Sequence, residues 1–201
     1  HQKKVVMPLL KNKRLHLESK LFRLGSAVVA FSGGIDSTLV AAVANKVLNR
    51  RVLAVTAESD SLPKRELISA KKLAQTLGVK HIIIKTGEMS STNYLKNPTN
   101  RCYYCKSELY AKLSQIAKQY QMANILNGTN LDDLGDHRPG IAAAKEAGVI
   151  SPLVDSQMNK QDVRDLARNI NLPNWRKPAL ACLSSRIPYG QPVTSKKLAM
   201  I

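Results

Sequence analysis

The sequence predicts an α/β fold in which a doubly wound parallel sheet carries helices on both faces. Two observations support this prediction: short apolar runs suited to buried strands recur along the chain, and amphipathic stretches of helical period separate them. The length of 201 residues and the hydrophobic fraction of 44% also suit one domain with a buried core. Only 3 Cys, 9 Pro and 10 Gly are present, which excludes disulfide-scaffold and collagen-like classes.

Each element follows from its own residue pattern. Apolar runs predict strands at residues 27–31, 52–56, 81–85 and 123–127, and a fifth strand, broken by a proline, at 149–154. Apolar residues at helical spacing predict helices at 37–48, 64–77, 103–120, 141–147 and 161–170. The stretch from 86 to 101 is polar and is predicted to be irregular.

Composition shifts predict three parts. Residues 1–24 form a basic N-terminal helix or extension, in which Glu18 is the only acidic residue. Residues 25–190 form the α/β domain, and residues 191–201 begin a C-terminal region that we expect to continue, because Thr194 caps a new helix close to the end.

The charge balance predicts an anionic partner. Thirty-one Lys and Arg against 14 Asp and Glu give +17, which favours nucleotides, phosphorylated small molecules or RNA. The alternative is a solvated basic surface that aids solubility. Aromatic residues make up only 4%, too few to favour base stacking, which supports this alternative and makes nucleic acid the weaker partner. The sequence has no apolar run of membrane-spanning length and no export signal, and its three cysteines are unevenly spaced. These features predict no membrane partner and a reducing, cytoplasmic location.

A phosphate-binding loop is predicted between the first strand and the first helix of the α/β domain. Glycines allow close backbone approach, hydroxyls donate hydrogen bonds, and free amides at a helix start attract anions. The sequence lacks both the Gly-Lys-Ser/Thr ending of a Walker loop and the Gly-x-Gly-x-x-Gly pattern. The alternative is an ordinary helix cap after a tight turn. The loop residues that we expect to bind the nucleotide are Ser32, Gly33, Gly34, Asp36, Ser37 and Thr38.

Three cysteines form the second candidate group. Cys102 and Cys105 make a C-x-x-C pair, and Cys182 lies 77 residues beyond the latter. Three thiolates suit a [4Fe-4S] cluster with one open iron site. The alternatives are a redox-active pair, a zinc site that lacks an evident fourth ligand, and three unrelated buried thiols.

Two loops complete the predicted site. The segment 128–140 follows a strand and carries Asp132, Asp133 and Asp136, which suit magnesium beside a phosphate; the alternative is a polar turn. The segment 182–190 places Arg186 near Cys182, and a guanidinium suits a phosphate or carboxylate; the alternative is an ordinary loop.

The Ser-Gly-Gly-x-Asp-Ser pattern at 32–37 resembles the PP-loop ATP pyrophosphatases. The resemblance implies that residues 25–190 bind ATP and split it into AMP and pyrophosphate while activating a carbonyl or carboxyl oxygen. It further implies that Asp36 helps to hold Mg²⁺, and that the adenine lies near Ala57 and Ser59.

Three further segments narrow the resemblance. Residues 136–140 (Asp-His-Arg-Pro-Gly), 162–167 (Asp-Val-Arg-Asp-Leu-Ala) and 184–190 (Ser-Ser-Arg-Ile-Pro-Tyr-Gly) resemble LarE-type sulfur transferases of nickel-pincer cofactor biosynthesis, which serves lactate racemase maturation. This implies that a carboxylate of pyridinium-3,5-biscarboxylic acid mononucleotide becomes a thiocarboxylate. The alternatives are a tRNA thiolase, an amidotransferase synthetase and a non-enzymatic nucleotide-binding module.

The LarE-type resemblance also assigns roles to residues. It implies a homo-oligomer and a sulfide donor, with sulfur supplied either through a three-cysteine [4Fe-4S] cluster or by Cys182 itself. The expected catalytic residues are Cys102, Cys105, Cys182 and Arg186. The expected substrate-binding residues are Asp133, Arg138 and Arg186.

Overall fold

The computed structural model describes residues 2–135 and 139–201. Short 3₁₀ turns occur at Glu88–Ser90, Leu131–Leu134 and Leu183–Arg186. The helices and strands run, in chain order, α1 (Gln2–Arg23), β1 (Ala27–Ala30), α2 (Ile35–Val47), β2 (Val52–Glu58), α3 (Lys64–Thr76), β3 (Lys80–Lys85), α4 (Thr92–Leu95), α5 (Arg101–Gln119), β4 (Asn124–Leu126), α6 (Pro139–Glu146), α7 (Pro152–Asp155), α8 (Lys160–Asn169) and α9 (Ser195–Ala199).

The strands form one parallel sheet in the order β3-β2-β1-β4, as the alternation of strands and helices predicts. Val28 of β1 is in register with Leu53 of β2 on one side and with Ile125 of β4 on the other. The first three strands are added in one direction, from β1 to β3. The chain then returns across the sheet and adds β4 on the other side of β1, so the strand order reverses between β1 and β4. In open α/β sheets such a reversal opens a crevice at the carboxyl ends of the strands.

Helices cover both faces of the sheet, which confirms the doubly wound prediction. Val29 of β1 packs in a cluster with α1, α2, α3 and α8. Its neighbour Val28 points the other way, into a cluster with α5 and α6. This alternation follows from the two-residue period of a strand. Leu17 and Leu21 of α1 are fully buried in the first cluster, so this basic helix packs on the domain core.

The predicted fifth strand is wrong. Ile150 makes only an isolated parallel bridge to Leu126, and its amide donates to the carbonyl of Ile125 at 2.9 Å. Pro152 then begins α7 directly after Ser151. A proline has no amide hydrogen for a strand ladder, but its fixed φ suits the first position of a helix. The apolar run is therefore divided between a single bridge and a helical turn.

Other boundaries differ by a few residues. The helix predicted to begin at Ser37 begins at Ile35, and the irregular stretch 86–101 contains the short helix α4. Thr194 caps α9 as predicted, since its side chain accepts a hydrogen bond from the amide of Lys197. Within residues 2–135 and 139–201, no helix is long and apolar enough to cross a membrane.

Candidate active site

The loop between β1 and α2 presents free amides at a helix start. Gly34 is the N-cap of α2, and no side chain caps that end. The hydroxyl of Ser37 donates to the Gly34 carbonyl at 3.1 Å and accepts from the Ser32 amide at 3.2 Å, while Thr38 donates to the same carbonyl at 2.8 Å. These contacts shape the loop without consuming the first amides of α2. An uncapped helix start of this kind can bind an anion, and phosphate binding at this loop stays a prediction.

Two glycines are required by close approaches at this loop. Gly33 has φ of +71°, and a Cβ there would lie 3.1 Å from Ala70 of α3. A Cβ at Gly128, after β4, would lie only 2.7 Å from the amide nitrogen of Ser37. The loop after β4 therefore lies directly against the phosphate loop, in the crevice where the strand order reverses.

Asp36 is held by two residues from distant parts of the chain. Its Oδ2 lies 2.5 Å from Nζ of Lys160, and its Oδ1 accepts from the side-chain amide of Asn130 at 3.1 Å. Carboxylate oxygen is the donor that Mg²⁺ prefers, so Asp36 fits the predicted magnesium role. Sequence reasoning missed Lys160, because nothing local marks a lysine 124 residues away as a partner.

Two carboxylates of the segment 128–140 accept hydrogen bonds from backbone amides. Asp133 accepts from the amide of Asn130 at 3.0 Å, and the two residues form a capping box for the turn Leu131–Leu134. Asp132 accepts from the amide of Lys160 at 3.0 Å, which fixes the start of α8 near the site. The predicted residues Asp136 and Arg138 lie outside the described residues. Substrate binding by Asp133 stays a prediction.

A second support for the phosphate loop comes from the segment after α8. The Asn174 side chain is buried and donates to the Gly33 carbonyl at 3.2 Å and to the Thr38 hydroxyl at 3.0 Å. Lys177 also donates to the Gly33 carbonyl, at 3.2 Å, and forms an ion pair with Glu66 of α3 at 2.7 Å. Neither residue was predicted, since only the fold brings this segment under the loop.

A cavity of about 170 Å³ joins the loop to two of the cysteines. It begins at the carboxyl ends of β1 and β2, where the adenine is expected, and ends at α5 and at the segment that contains Cys182. Ser32, Ala57, Ser59, Cys105 and Cys182 all line it. One predicted phosphate-loop residue, both predicted adenine residues and two of the three cysteines therefore line one cavity, while their roles stay predictions.

The three thiols have different surroundings. All are free; Cys102 and Cys182 are exposed, whereas Cys105 is half-buried. Burial raises the pKa of the Cys105 thiol to about 11, and the nearby ammonium of Lys106 lowers it only in part. Within the described residues, no group of three or more His, Cys, Asp or Glu side chains is placed to hold a metal ion. The thiols suit iron chemically, but their present arrangement is not a cluster site.

Arg186 lies apart from the cavity walls. It ends the 3₁₀ turn Leu183–Arg186, its side chain is exposed, and it is not among the residues that line the cavity. The turn itself is anchored: the amide of Leu183 donates to the carbonyl of Ser61 at 3.0 Å. An exposed guanidinium can meet an anionic ligand from solvent, and substrate binding by Arg186 stays a prediction.

Known proteins are similar to this chain in sequence and in fold. Residues 10–131 match the family model described as NAD synthase. Over 197 residues the chain is 40% identical to the pyridinium-3,5-bisthiocarboxylic acid mononucleotide synthase of Lactiplantibacillus plantarum, covering 97% of this chain and 71% of that protein. The chain belongs to the LarE-type branch of the NAD synthase-like PP-loop family.

Two further comparisons give one sequence relative and one solved structure. An uncharacterized protein of Synechocystis sp. is 46% identical over 193 residues, covering 96% of this chain and 72% of the relative. The NMN synthetase of Francisella tularensis has a similar structure, with a TM-score of 0.69, 20% identity and coverage of 94% and 84% of the two chains. The latter likeness concerns the fold alone. The family relationship and the loop geometry together support an ATP-using enzyme.

Proposed function

We propose that this LarE-type protein is an ATP-dependent sulfur transferase. Its substrate would be a carboxylate of pyridinium-3,5-biscarboxylic acid mononucleotide, which becomes a thiocarboxylate in nickel-pincer cofactor biosynthesis. The observation that carries the proposal is the shared cavity, in which Ser32 of the phosphate loop and the thiols of Cys105 and Cys182 line the same walls. The 40% identity to the Lactiplantibacillus synthase supports the choice of substrate.

The first step is activation of the carboxylate. A substrate carboxylate oxygen attacks the α-phosphorus of ATP, forming an acyl adenylate and releasing pyrophosphate. The amides at the start of α2 and the hydroxyl groups of Ser32 and Ser37 stabilise the phosphates, and Asp36 would hold the Mg²⁺ that shields their charge. Ala57 and Ser59 flank the adenine in this arrangement.

The second step transfers sulfur. A sulfur nucleophile attacks the adenylate carbonyl, and AMP departs with the bonding electrons of the C–O bond. If the nucleophile is Cys182, a thioester forms, and loss of its α-proton with cleavage of the Cβ–Sγ bond leaves dehydroalanine and a thiocarboxylate. If sulfide is the nucleophile, Cys182 is unchanged. A three-cysteine iron–sulfur cluster stays a prediction, because Cys102, Cys105 and Cys182 do not form a metal-holding group among the described residues.

The test separates activation from sulfur transfer. Purified protein receives Mg²⁺, ATP and the pyridinium substrate, with and without added sulfide, and AMP and thiocarboxylate are measured by mass spectrometry. We expect both products from the wild type, AMP alone from Cys182→Ala without sulfide, and neither from Asp36→Ala. AMP without any thiocarboxylate under every sulfur condition would overturn the proposed function.

The same samples identify the sulfur source. Loss of the mass of H₂S at Cys182 after turnover assigns the sulfur to that residue. An unchanged mass with repeated turnover on sulfide assigns it to the donor. Anaerobic reconstitution followed by iron and acid-labile sulfide analysis tests the cluster. About four irons per chain would support the cluster, and the absence of bound iron would refute it.

A further inference from the structure

We propose that Asn97 and Arg101 are positioning residues, which hold the Cys182 segment (residues 182–191) against the start of α5, where Cys102 and Cys105 lie. We call this pair and its contacts the clamp. The proposal deepens the proposed function, because it rests on sulfur chemistry at these thiols. Its main test, however, requires no substrate.

Asn97 supplies one half of the clamp. It is fully buried, and its side-chain amide donates to the carbonyls of Ile187, Pro188 and Gln191 at 3.2, 2.8 and 3.0 Å. Its own carbonyl accepts from the amide of Gly190 at 2.9 Å. The Asn97 side chain therefore hydrogen-bonds to three carbonyls of a segment that lies about ninety residues away in the chain.

Arg101 supplies the other half. It is the first residue of α5, next to Cys102, and only 2% of it is exposed. Its Nη1 donates to the carbonyl of Ser184 at 2.9 Å and to the side-chain oxygen of Asn97. The guanidinium also lies over the ring of Tyr189, 5.5 Å from its centroid. Arg101, which is adjacent to Cys102, thus hydrogen-bonds to the segment that carries Cys182.

The partners of Arg101 indicate a positioning role. Buried guanidinium groups usually face carboxylates, but among the described residues no acidic side chain forms an ion pair with Arg101. Arg101 donates instead to a backbone carbonyl and an amide oxygen. These hydrogen bonds fix the direction and distance of the bonded segment relative to Arg101. The hydroxyl groups of Tyr94 and Ser184 share a further hydrogen bond.

The clamp matters because Cys182 itself is exposed and lies just before a short turn. Weaker ties also hold the start of this segment: the amide of Leu183 donates to the carbonyl of Ser61, and Leu183 packs beside Tyr94 in a small apolar cluster. A reacting group displaced by about 1 Å can lose about a hundredfold in rate. Holding Cys182 in the wall of the cavity that Cys105 also lines is therefore a geometric requirement for any reaction that uses both thiols.

The experiment uses Asn97→Gly and measures disulfide trapping under a mild oxidant. Asn97 has φ of +53°, so glycine keeps its left-handed backbone while removing the three side-chain bonds that Asn97 donates and the one that it accepts from Arg101. Asn49→Gly is the matched control, because Asn49 has φ of +48° but is exposed and far from the segment. Peptide mapping then compares formation of the Cys105–Cys182 and Cys102–Cys105 disulfides.

We expect Asn97→Gly to slow Cys105–Cys182 trapping by about tenfold or more, with the intrahelical Cys102–Cys105 rate and the Asn49→Gly variant unchanged. Thermal melting verifies folding. If Asn97→Gly fails to fold, Tyr94→Phe removes the hydroxyl group that hydrogen-bonds to Ser184 and should slow the same trapping by a smaller factor. Unchanged Cys105–Cys182 trapping in a folded variant overturns the clamp.

A kinetic measurement tests the clamp in turnover. In Arg101→Lys, AMP formation should persist while thiocarboxylate formation falls, because the phosphate loop is untouched. Equal losses in both steps would overturn the positioning role. Failure of the proposed function would appear differently. The wild type would then form no thiocarboxylate, while trapping of the Cys105–Cys182 disulfide would still depend on Asn97.

Discussion

The Nζ atom of Lys160 lies 2.5 Å from the Oδ2 atom of Asp36, so the carboxylate predicted to hold magnesium is paired with an ammonium group from the start of α8. Both side chains are partly exposed, at 26% and 22%. The pair joins the phosphate loop after β1 to a helix that follows β4. An ammonium and a divalent cation compete for one carboxylate.

Removal of the ammonium should therefore favour the metal. In Lys160→Ala we expect the Mg²⁺ concentration for half-maximal AMP formation to fall by about two- to fivefold, the range for a partly exposed ion pair. Lys13→Ala is the control, because Lys13 pairs with Asp162 of α8 at 2.6 Å, away from the loop. A higher Mg²⁺ requirement would instead make Lys160 a phosphate ligand.

Gly128 provides a steric prediction. A Cβ at this position would lie 2.7 Å from the Ser37 amide nitrogen and 3.0 Å from the Asp36 carbonyl carbon, and backbone atoms cannot swing aside. Gly128→Ala should lower the free energy of unfolding by about 1–3 kcal/mol, measured by urea denaturation, and weaken ATP binding. Gly135→Ala is the control, since that loop glycine has φ of −75° and its nearest neighbour lies 3.9 Å away. Equal effects of both changes would contradict the close approach.

Cys105 provides a pH-dependent prediction. Burial raises the pKa of its thiol to about 11, so the thiol stays protonated at pH 8, and only the thiolate is nucleophilic. With iodoacetamide at pH 8, the exposed Cys102 and Cys182 should react first. Alkylation of Cys105 should accelerate about tenfold per pH unit towards pH 11.

Lys106 gives this prediction an internal control. Its charge lowers the pKa of Cys105, so Lys106→Ala should slow alkylation of Cys105 at a given pH and shift its profile to higher pH. Alkylation of Cys105 at pH 8 as fast as that of Cys102 would show that the thiol is not held in the buried position described.

Arg186 provides a binding prediction. Its exposed guanidinium is expected to meet the anionic substrate rather than ATP, so Arg186→Ala should weaken pyridinium substrate binding about ten- to a hundredfold and ATP binding much less. Calorimetry with each ligand measures both constants. Arg51→Ala is the control, because this exposed arginine precedes β2 at the opposite edge of the sheet. An equal effect on the two ligands would assign Arg186 a general structural role.

The sequence by itself determined the local structure. The parallel strands and their helices follow from two periodicities, and the phosphate loop follows from glycines and hydroxyls between one strand and one helix. Each of these signals lies within about twenty residues of chain. The failed fifth strand shows the limit, because a buried apolar run such as 149–154 suits a strand or a helical turn equally well, and Pro152 decided it.

Only the tertiary structure decided which distant side chains meet. Lys160 at Asp36, Asn174 beneath Gly33 and Asn97 on the Cys182 segment are separated from their partners by about ninety residues or more. Lysine and asparagine are ordinary surface residues, and no local pattern distinguishes these particular ones. They become part of the site because parallel strands return repeatedly to the same edge of the sheet, which brings the loops that follow them together.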